Sequence, residues 1–294
     1  MGYETLCGRV FLLYNIFMLT IFLVFLFISG LMIGSFLNVV IYRLESKQKN
    51  VITEKRKNKR KDLFGRSFCP NCGNQIAWHD NIPIISWLVL RGKCRDCKKR
   101  ISVQYPLVEL ATGLVFASFV VIPAEAGIQS VTGIINLVFW LFFASCLISI
   151  FVYDLKHQII PDEVIYTALI AGLLYAAINF ALLGDYKYLL DHFFSGLLAG
   201  GFFFFLAAVS KGKWMGGGDI KLAAFMGLVL GWQGVLVALY IAFILGAIVG
   251  SIALLTKEKK LGSKIPFGPF LVIGTLISFL FAEKVIYIYG KIFL

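Results

Sequence analysis

Long apolar runs separated by short polar segments form the main pattern along the 294 residues of the chain. A run of about 20 residues is needed to cross about 30 Å of hydrocarbon as a helix. Runs that reach or approach this length lie at residues 11–41, 106–122, 133–153, 164–182, 189–209, 220–231, 234–255 and 267–282. The pattern therefore predicts an all-α polytopic membrane protein with about eight transmembrane helices.

The run at 220–231 is the weakest of the eight, because about a dozen residues fall short of a full crossing. The basic residues support it nevertheless. With eight crossings and an external N-terminus, 24 of the 28 Lys and Arg residues lie in segments on the cytoplasmic side. Without the crossing at 220–231, the lysines at 257–260 would lie on the other side, against the preference of basic loops for the cytoplasm. We therefore expect this short run to cross.

The composition of the chain agrees with a membrane protein. Hydrophobic residues make up 59% and charged residues 15% of the sequence. Soluble domains average about 45–50% and about 25%, respectively. The composition therefore excludes an ordinary soluble globular domain.

One long polar block interrupts the apolar runs, so the sequence predicts a first transmembrane helix at 1–42, a cytoplasmic domain at 43–104 and a transmembrane domain at 105–294. Within the block, residues 47–62 are strongly basic and have little apolar surface to bury. We expect them to form a solvated or disordered stretch that attracts anionic lipid head groups. We expect no nucleic-acid partner, because no aromatic residue interleaves the basic ones.

The second part of the polar block contains two C-x-x-C pairs, formed by Cys69, Cys72, Cys94 and Cys97. The 21 residues between the pairs slightly exceed the usual spacing of a zinc ribbon. Each pair can form a turn that presents two thiolates, and two turns complete the tetrahedron that Zn²⁺ prefers. Disulfides are the alternative, but they are rare in a reducing compartment. We expect a small zinc-ribbon-like domain with a structural zinc ion between helices 1 and 2.

The remaining cysteines and histidines do not indicate a catalytic metal. Cys7 and Cys146 are isolated in or beside apolar runs, where packing explains them. The histidines, His79, His157 and His192, are scattered and form no H-E-x-x-H pattern. This distribution argues against a zinc metalloprotease.

Two aspartates lie where apolar runs meet the cytoplasmic side. Asp154 ends the third run, and Asp219 precedes the sixth run directly after Gly216, Gly217 and Gly218. The topology brings both carboxyl groups to the same face of the membrane, where ionisable residues indicate a functional site. Two neighbouring carboxyl groups do not both ionise cheaply, so one can act as an acid while the other activates a water molecule. We expect an aspartyl catalytic pair.

The three glycines leave a backbone without side-chain bulk, which can adopt left-handed conformations and lie beside an extended substrate. Alternatively, the aspartates solvate helix ends, with Asp219 as an N-terminal cap. Asp162, after Pro161, competes with Asp154, which we favour because it ends an apolar run nearer the bilayer. Glu109 is a lone carboxylate in a membrane segment, for which structural pairing is the simpler interpretation.

Seven segments resemble, in chain order, the motifs of bacterial type IV prepilin peptidases: GSFLNVVIYRL, CPNC, DNIPIISWLVLRGKC, ISVQYPLVEL, DLKHQIIPD, GGGDIKL and IPFGPFL. The resemblance implies an aspartyl endopeptidase of the bacterial inner membrane. It would remove the leader peptide of type IV prepilins or type II secretion pseudopilins at the cytoplasmic face. By the same resemblance, Asp154 matches the first catalytic aspartate and Asp219 the second, within the G-x-G-D motif.

The resemblance also implies a second activity. Many members of the family transfer a methyl group from S-adenosylmethionine to the new N-terminus, and the cysteine domain is linked to this reaction. Residues 43–104 contain no glycine-rich nucleotide fingerprint, so methylation is expected from the resemblance alone. The alternative function is a transporter or channel with a zinc-binding cytoplasmic regulatory domain, because ion pathways also use membrane carboxylates. It does not account for three glycines beside Asp219.

Overall fold

The structure is a computed structural model that describes residues 2–52, 67–119, 131–212, 215–256 and 266–293. Within these ranges the regular elements are helices, accompanied by two isolated β-bridges. The all-α prediction is therefore confirmed. The chain divides into two compact units, Met1–Gly127 and Ile128–Leu294. The domain bounds expected from the sequence stay a prediction.

The first unit contains the helices α1 (Gly2–Ile52), α2 (Ile85–Val89) and α3 (Gln104–Ser118). Glycines bring α1 and α3 into close contact. A Cβ atom added at Gly34 would lie 2.7 Å from the Cα of Glu109, and one added at Gly30 would lie 2.8 Å from the Cα of Gly113. Larger residues would push the two helices apart, as expected for small residues at the interface of membrane helices.

Helix α1 extends past its expected end. It continues to Ile52, through the first part of the basic stretch. Residues 47–52 are therefore helical rather than disordered, and Lys47 and Gln48 are exposed, as expected for a solvated stretch, while residues 53–62 lie outside the described part of the chain. The physical reason is that Lys, Gln and Glu are good helix formers, and extending an existing helix avoids the cost of nucleating a new one.

The second unit is built from α4 (Val131–His157), α5 (Asp162–Leu183), α6 (Tyr186–Val209), α7 (Gly217–Leu255) and α8 (Gly268–Phe293). Large apolar side chains without exposed surface form its core. Phe143 of α4 makes edge-to-face contacts with Tyr175 of α5 and Phe225 of α7. The core therefore joins helices that are far apart in sequence.

Helix α7 folds back on itself at Gly231, where φ 68° and ψ −176° interrupt the helical conformation. Before this break, Ala224 lies against Gly200 of α6. After it, the ring of Phe243 contacts that of Phe203, about one turn further along α6, with 6.4 Å between centroids. A straight helix would separate residues 224 and 243 by about 28 Å. The chain therefore reverses direction at Gly231.

Two neighbouring polar residues of α6 hold this reversal. The Asp191 carboxylate accepts the N–H of Trp232 (3.1 Å), and Nδ1 of His192 donates to the carbonyl of Leu228 (2.9 Å). A Cβ atom at Gly231 would lie 2.5 Å from an oxygen of Asp191. Glycine is therefore required at 231 both for its positive φ and for lack of space.

The helices match the predicted crossings. Within the described residues, the segments long and apolar enough to span a membrane are Ile16–Gln48, Val131–His157, Asp162–Leu183, Tyr186–Val209 and Gly217–Leu255. Helix α8 adds the shorter apolar segment Gly268–Ala282, and α3 has 15 residues. Because α7 is a hairpin, it supplies both the short sixth crossing and the seventh. The prediction of an all-α polytopic membrane protein is confirmed, with five candidate spans among the described residues, and the count of about eight crossings stays a prediction.

Candidate active site and metal centre

Asp154 lies in the last turn of α4, where only 4% of its surface is exposed. The helix ends shortly afterwards, because Gln158 adopts a left-handed conformation (φ 55°) and its N–H donates to the carbonyl of Asp154 (2.8 Å). The Asp154 carboxylate accepts the N–H of Gly268, the first residue of α8. A Cβ atom at Gly268 would collide with this carboxylate. The start of α8 therefore needs glycine to contact Asp154.

Asp219 lies in the first turn of α7, at the end of the glycine run. Its carboxylate accepts the N–H of Gly216 (3.2 Å), as an acidic residue does in a capping box. Asp219 therefore makes a capping hydrogen bond, as the alternative interpretation expected, and this bond is one of its contacts. A carboxylate has about four acceptor positions, so the cap leaves the group free for further hydrogen bonds.

Packing around Ile160 brings the two aspartates to one site. Ile160, in the loop between α4 and α5, is buried and lies between two glycines. A Cβ atom at Gly218 would be 2.9 Å from the Cβ of Ile160, and one at Gly268 would be 3.5 Å from its Cδ1. Asp219 follows Gly218, and Asp154 contacts Gly268. Both aspartates therefore adjoin glycines that pack on the same side chain, Ile160.

The three glycines before Asp219 have different surroundings. Gly218 packs against Ile160, Gly216 is exposed with an extended backbone (φ −84°, ψ 158°), and Gly217 has no atom within 4 Å of an added Cβ. None of the three has a positive φ. The ability of these glycines to adopt left-handed backbone is therefore not used in this structure. Gly218 has to be small because it packs closely, whereas Gly216 and Gly217 leave the space beside the backbone open.

Asp162, the competitor of Asp154, is engaged in a different contact. Its carboxylate pairs with Nζ of Lys221 at 2.6 Å, and 62% of its side chain is exposed. The same ammonium group lies 4.6 Å from the centre of the Tyr166 ring. Asp162 therefore faces solvent beside a cation, whereas Asp154 is buried. This difference favours Asp154 as the partner of Asp219.

Sequence reasoning did not identify Gly268 and Ile160 as parts of this site. Gly268 lies in IPFGPFL and Ile160 in DLKHQIIPD, two of the segments that carry the family resemblance. The available signal was a glycine directly at the start of an apolar run, where packing rather than chemistry is the usual reason for it. Neither residue has a reactive group, so only their contacts with the aspartates assign them to the site.

The four cysteines converge as expected. The Sγ atoms of Cys69, Cys72, Cys94 and Cys97 all lie within 4.8 Å of one another. Those of Cys69 and Cys97 are 3.9 Å apart. Tetrahedral coordination with Zn–S bonds of about 2.3 Å places sulfur atoms about 3.8 Å apart. The cluster can therefore hold a metal ion.

The two C-x-x-C turns have the same backbone structure. Each forms the same pair of N–H to carbonyl bonds: Cys69 to Asn74 and Gly73 to Cys69 in the first, Cys94 to Lys99 and Lys98 to Cys94 in the second. An isolated β-bridge closes each turn, Phe68 to Gln75 and Lys93 to Arg100. The equivalent residues Gly73 and Lys98 both have positive φ, 77° and 58°. The metal centre is thus assembled from two copies of one turn.

The backbone of the first turn prepares one of its thiols for ionisation. Burial opposes the thiolate of Cys69, but hydrogen bonds from the backbone of Cys72 and Asn71 outweigh it and lower the pKa from 9.0 to about 7. At Cys72, the backbone of Asn74 favours the thiolate, but burial and the nearby Cys69 sulfur raise the pKa to about 11. Thiolates this close repel one another, and a bound dication would relieve that repulsion.

An ion pair braces the second turn. Nε and Nη2 of Arg95 donate to the two oxygens of Asp80 at 2.8 and 2.6 Å. This pairing lowers the pKa of Asp80. Asp80 belongs to the short 3-10 helix Trp78–Asn81, so the pair connects this helix to the turn that contains Cys94 and Cys97.

Comparisons with known proteins cover most of the chain. The family model "Bacterial Peptidase A24 N-terminal domain" matches residues 28–122, and the model "Type IV leader peptidase family" matches residues 141–251. No solved structure matches the chain.

Several curated proteins named "Prepilin leader peptidase/N-methyltransferase" are similar over almost their full length. The protein of Stutzerimonas stutzeri is 34% identical over 270 residues, which cover 88% of this chain and 90% of that protein. The protein of Pseudomonas aeruginosa is 34% identical over 273 residues, covering 87% and 89%. That of Aeromonas hydrophila is 35% identical over 280 residues, covering 90% and 91%.

Proposed function

The chain belongs to the type IV leader peptidase family, and we propose that it is a membrane aspartyl endopeptidase that removes the leader peptide of prepilins or pseudopilins. The observation that carries this proposal is the contact between two distant parts of the second unit. Asp154 at the end of α4 and Asp219 at the start of α7 lie at one site, joined through Ile160 and two glycines. Family membership favours this function over a transporter or channel.

In the proposed mechanism, the two carboxyl groups hold one proton between them. The ionised carboxylate accepts a proton from a water molecule as its oxygen attacks the carbonyl carbon of the scissile peptide bond. The protonated carboxyl group donates its proton to the carbonyl oxygen, which gives a neutral tetrahedral intermediate. The carboxyl group that took the water proton then donates it to the leaving nitrogen, while the other carboxylate accepts a proton from a hydroxyl group of the intermediate. The C–N bond breaks, and the pair again holds one proton.

We assign Gly216, Gly217 and Gly218 to the loop that holds the substrate. The exposed Gly216 has an extended backbone, so its N–H and C=O groups are arranged as in a β-strand. The open space at Gly217 lets a second extended chain come within hydrogen-bonding distance. The leader would therefore bind in an extended form beside Gly216 and the open side of Gly217, with its scissile bond over the carboxyl pair.

Methyl transfer is the second proposed activity. The relatives' name includes an N-methyltransferase, and the chain covers about nine-tenths of their length. S-adenosylmethionine would supply the methyl group to the amine that cleavage exposes. Residues 43–104 contain no glycine-rich nucleotide fingerprint, so we assign no residue to this reaction.

Zinc is the proposed occupant of the four-cysteine site. Four thiolates at tetrahedral distances form a closed coordination sphere without a position for water, which is typical of structural zinc. The ion would stabilise the turns of the first unit and take no part in peptide hydrolysis. Cys69, Cys72, Cys94 and Cys97 would be its ligands.

The membrane orientation follows from the basic residues. We propose that the carboxyl pair and the cysteine site face the cytoplasm, because segments rich in Lys and Arg stay on that side. The basic stretch at 47–62 would lie near the inner leaflet and attract its anionic head groups. A prepilin already anchored in this membrane would present its leader to the same side.

The test is an assay of the purified protein in liposomes with a prepilin substrate. We expect removal of the leader by the wild type, and addition of one methyl group to the product when S-adenosylmethionine is present. The Asp219→Asn variant should fail to cleave the prepilin, yet methylate a pilin supplied without its leader. A wild type that leaves the leader attached, or an Asp219→Asn variant that cleaves at the normal rate, would contradict the proposal.

A further inference from the structure

Helix α2 is attached to helix α3 by a buried carboxylate. Glu109 of α3 has 6% of its surface exposed, and its carboxylate accepts the N–H of Ile84 at 2.7 Å. Ile84 directly precedes α2 and has a positive φ of 59°, a conformation that is rare for a β-branched residue. The hydrogen bond therefore fixes α2 at the level of Glu109. It also agrees with the expectation that Glu109 has a structural partner.

Glu109 belongs to the stretch of α3 that is needed to cross a membrane. The 15 residues of α3 measure about 22 Å, less than the about 30 Å of a hydrocarbon core. Every turn of α3 is therefore needed for the crossing. Glu109 comes about 7 Å after the first residue of the helix, so the predicted crossing by α3 would place α2 beside a membrane-embedded turn.

The side chains of α2 are arranged on two faces. Trp87 points into the segment 67–101 that contains the four cysteines, called the cysteine module here. Its ring contacts Gly92, and its indole N–H approaches the carbonyl of Ile101 (3.5 Å). Ile85, Leu88 and Val89 are on the other face, each with more than half of its surface exposed. Their spacing places them on one side of the helix. α2 therefore presents an apolar face that the first unit does not cover.

Basic residues follow this apolar face directly. Exposed positive side chains belong to Arg91, Lys93, Lys98, Lys99 and Arg100. Trp78, in the adjacent 3-10 helix, is 81% exposed, and tryptophan is enriched at the level of lipid head groups. An apolar face next to cations and an exposed indole ring is the pattern of a helix that lies in a membrane interface.

We propose that α2 is an interfacial anchor of the cysteine module. The face formed by Ile85, Leu88 and Val89 inserts among the acyl chains beside the first turns of α3, and the basic residues contact anionic head groups. Val103, just before α3, and Leu107, within α3, are also exposed apolar residues. The anchor would set the height of the metal centre above the hydrocarbon, independently of either enzymatic activity.

The experiment measures the depth of Leu88 in a bilayer. A nitroxide is attached through p-acetylphenylalanine at position 88, which leaves the native cysteines intact, and the protein is placed in nanodiscs of phosphatidylethanolamine and phosphatidylglycerol. Power-saturation EPR then compares the access of oxygen, which concentrates in lipid, with that of a water-soluble nickel chelate. Labels at Leu107 on α3 and at Asn71 in the first cysteine turn provide the lipid and water references, and Val89 provides a second test site.

We expect labels at Leu88 and Val89 to match the one at Leu107, with high oxygen access and severalfold lower access to nickel than at Asn71. Nickel access equal to that at Asn71 would place α2 in water and overturn the proposal. Immobilised labels that neither reagent reaches would overturn it as well, because protein rather than lipid would then cover α2.

Discussion

The metal centre of the first unit is made of two short turns, whereas the carboxyl pair of the second unit depends on residues from three separate segments. Each cysteine turn fixes its own two sulfur atoms through backbone hydrogen bonds between neighbours in sequence. Local hydrogen bonds do not bring Asp154 and Asp219 together. Their relative positions depend on the end of α4, the starts of α7 and α8, and the side chain of Ile160. A local substitution should therefore disturb the two sites differently.

This difference also determines at which residues a substitution should disturb each site. In the cysteine turns, the important positions are the ligands and the residues with positive φ. Around the aspartates, they include Gly268 and Gly218, which have no chemistry of their own. A site built by long-range packing loses activity when a distant neighbour changes size.

The largest effect should come from the carboxyl groups themselves. Asp154→Asn removes one member of the pair and should lower kcat for leader cleavage by at least about 10³-fold, as the loss of a catalytic group does in other proteases. The measurement is the initial rate of leader removal in liposomes. Equal Tm values for variant and wild type would exclude unfolding as the cause.

Asp162→Asn is the matched control for this prediction. It removes the same charge from a residue eight positions along the chain, but breaks only an exposed ion pair with Lys221. Such pairs contribute about 0–1 kcal/mol, so the rate should stay within about tenfold of the wild type. An inactive Asp162→Asn together with an active Asp154→Asn would reverse the assignment.

A glycine next to the pair should show the second-largest effect. Gly268→Ala places a Cβ atom against the Asp154 carboxylate, and we expect kcat to fall by about 10²-fold because the carboxyl group is displaced. Gly201→Ala on α6 is the control, since nothing lies within 4 Å of its added Cβ. Equal activity of the two variants would show that the contact at Gly268 does not position Asp154.

The sequence predicted most of the fold. The apolar runs gave the helical segments, and the charge distribution identified the short sixth crossing, although about a dozen residues alone do not indicate a membrane helix. It did not predict that α1 would continue to Ile52. Apolar runs mark the part of a helix that is in lipid, while the polar continuation of α1 depends on helix propensity, which is a weaker signal.

The sequence predicted the cysteine site more completely than the aspartate site. The C-x-x-C spacing was sufficient to group the cysteines, because each turn is determined by local backbone geometry. For the aspartates, topology gave only a common membrane face. The contact of Gly268 with Asp154 and the position of Ile160 between two glycines depend on how three helix ends pack together, which is not a property of any local segment.

Removing a cysteine ligand should affect metal content and leave cleavage nearly unchanged. We expect about one zinc per chain in the wild type and its loss in Cys72→Ser, measured by elemental analysis after dialysis against a weak chelator. Cys146→Ser, at a buried position in α4 outside the cluster, should retain the metal. Leader cleavage by Cys72→Ser should stay within about threefold of the wild type, because the proposed zinc ion would be structural.

A wild type purified without metal would contradict the assignment of the cysteine site. If Cys72→Ser lost its cleavage activity while keeping the wild-type Tm, the independence of the two sites would be wrong.

The smallest effect should appear at the equivalent positions of the two cysteine turns. A positive φ costs a residue with a side chain about 1–2 kcal/mol, so Gly73→Ala should weaken metal binding by about five- to thirtyfold. Lys98→Gly removes the same strain from the second turn and should bind metal at least as tightly as the wild type. Competition with a chromophoric chelator measures both. Weaker binding by Lys98→Gly would contradict the equivalence of the turns.

The most direct test of the proposed catalytic pair is an experimental structure of the protein in lipid. It would give the distance between the carboxyl groups of Asp154 and Asp219. A shared water molecule with two hydrogen bonds requires oxygen atoms no more than about 6 Å apart. We predict a distance within this limit, with Gly268 still against Asp154. Carboxyl groups more than about 10 Å apart, both without substrate and with a bound prepilin, would contradict the proposed catalytic pair.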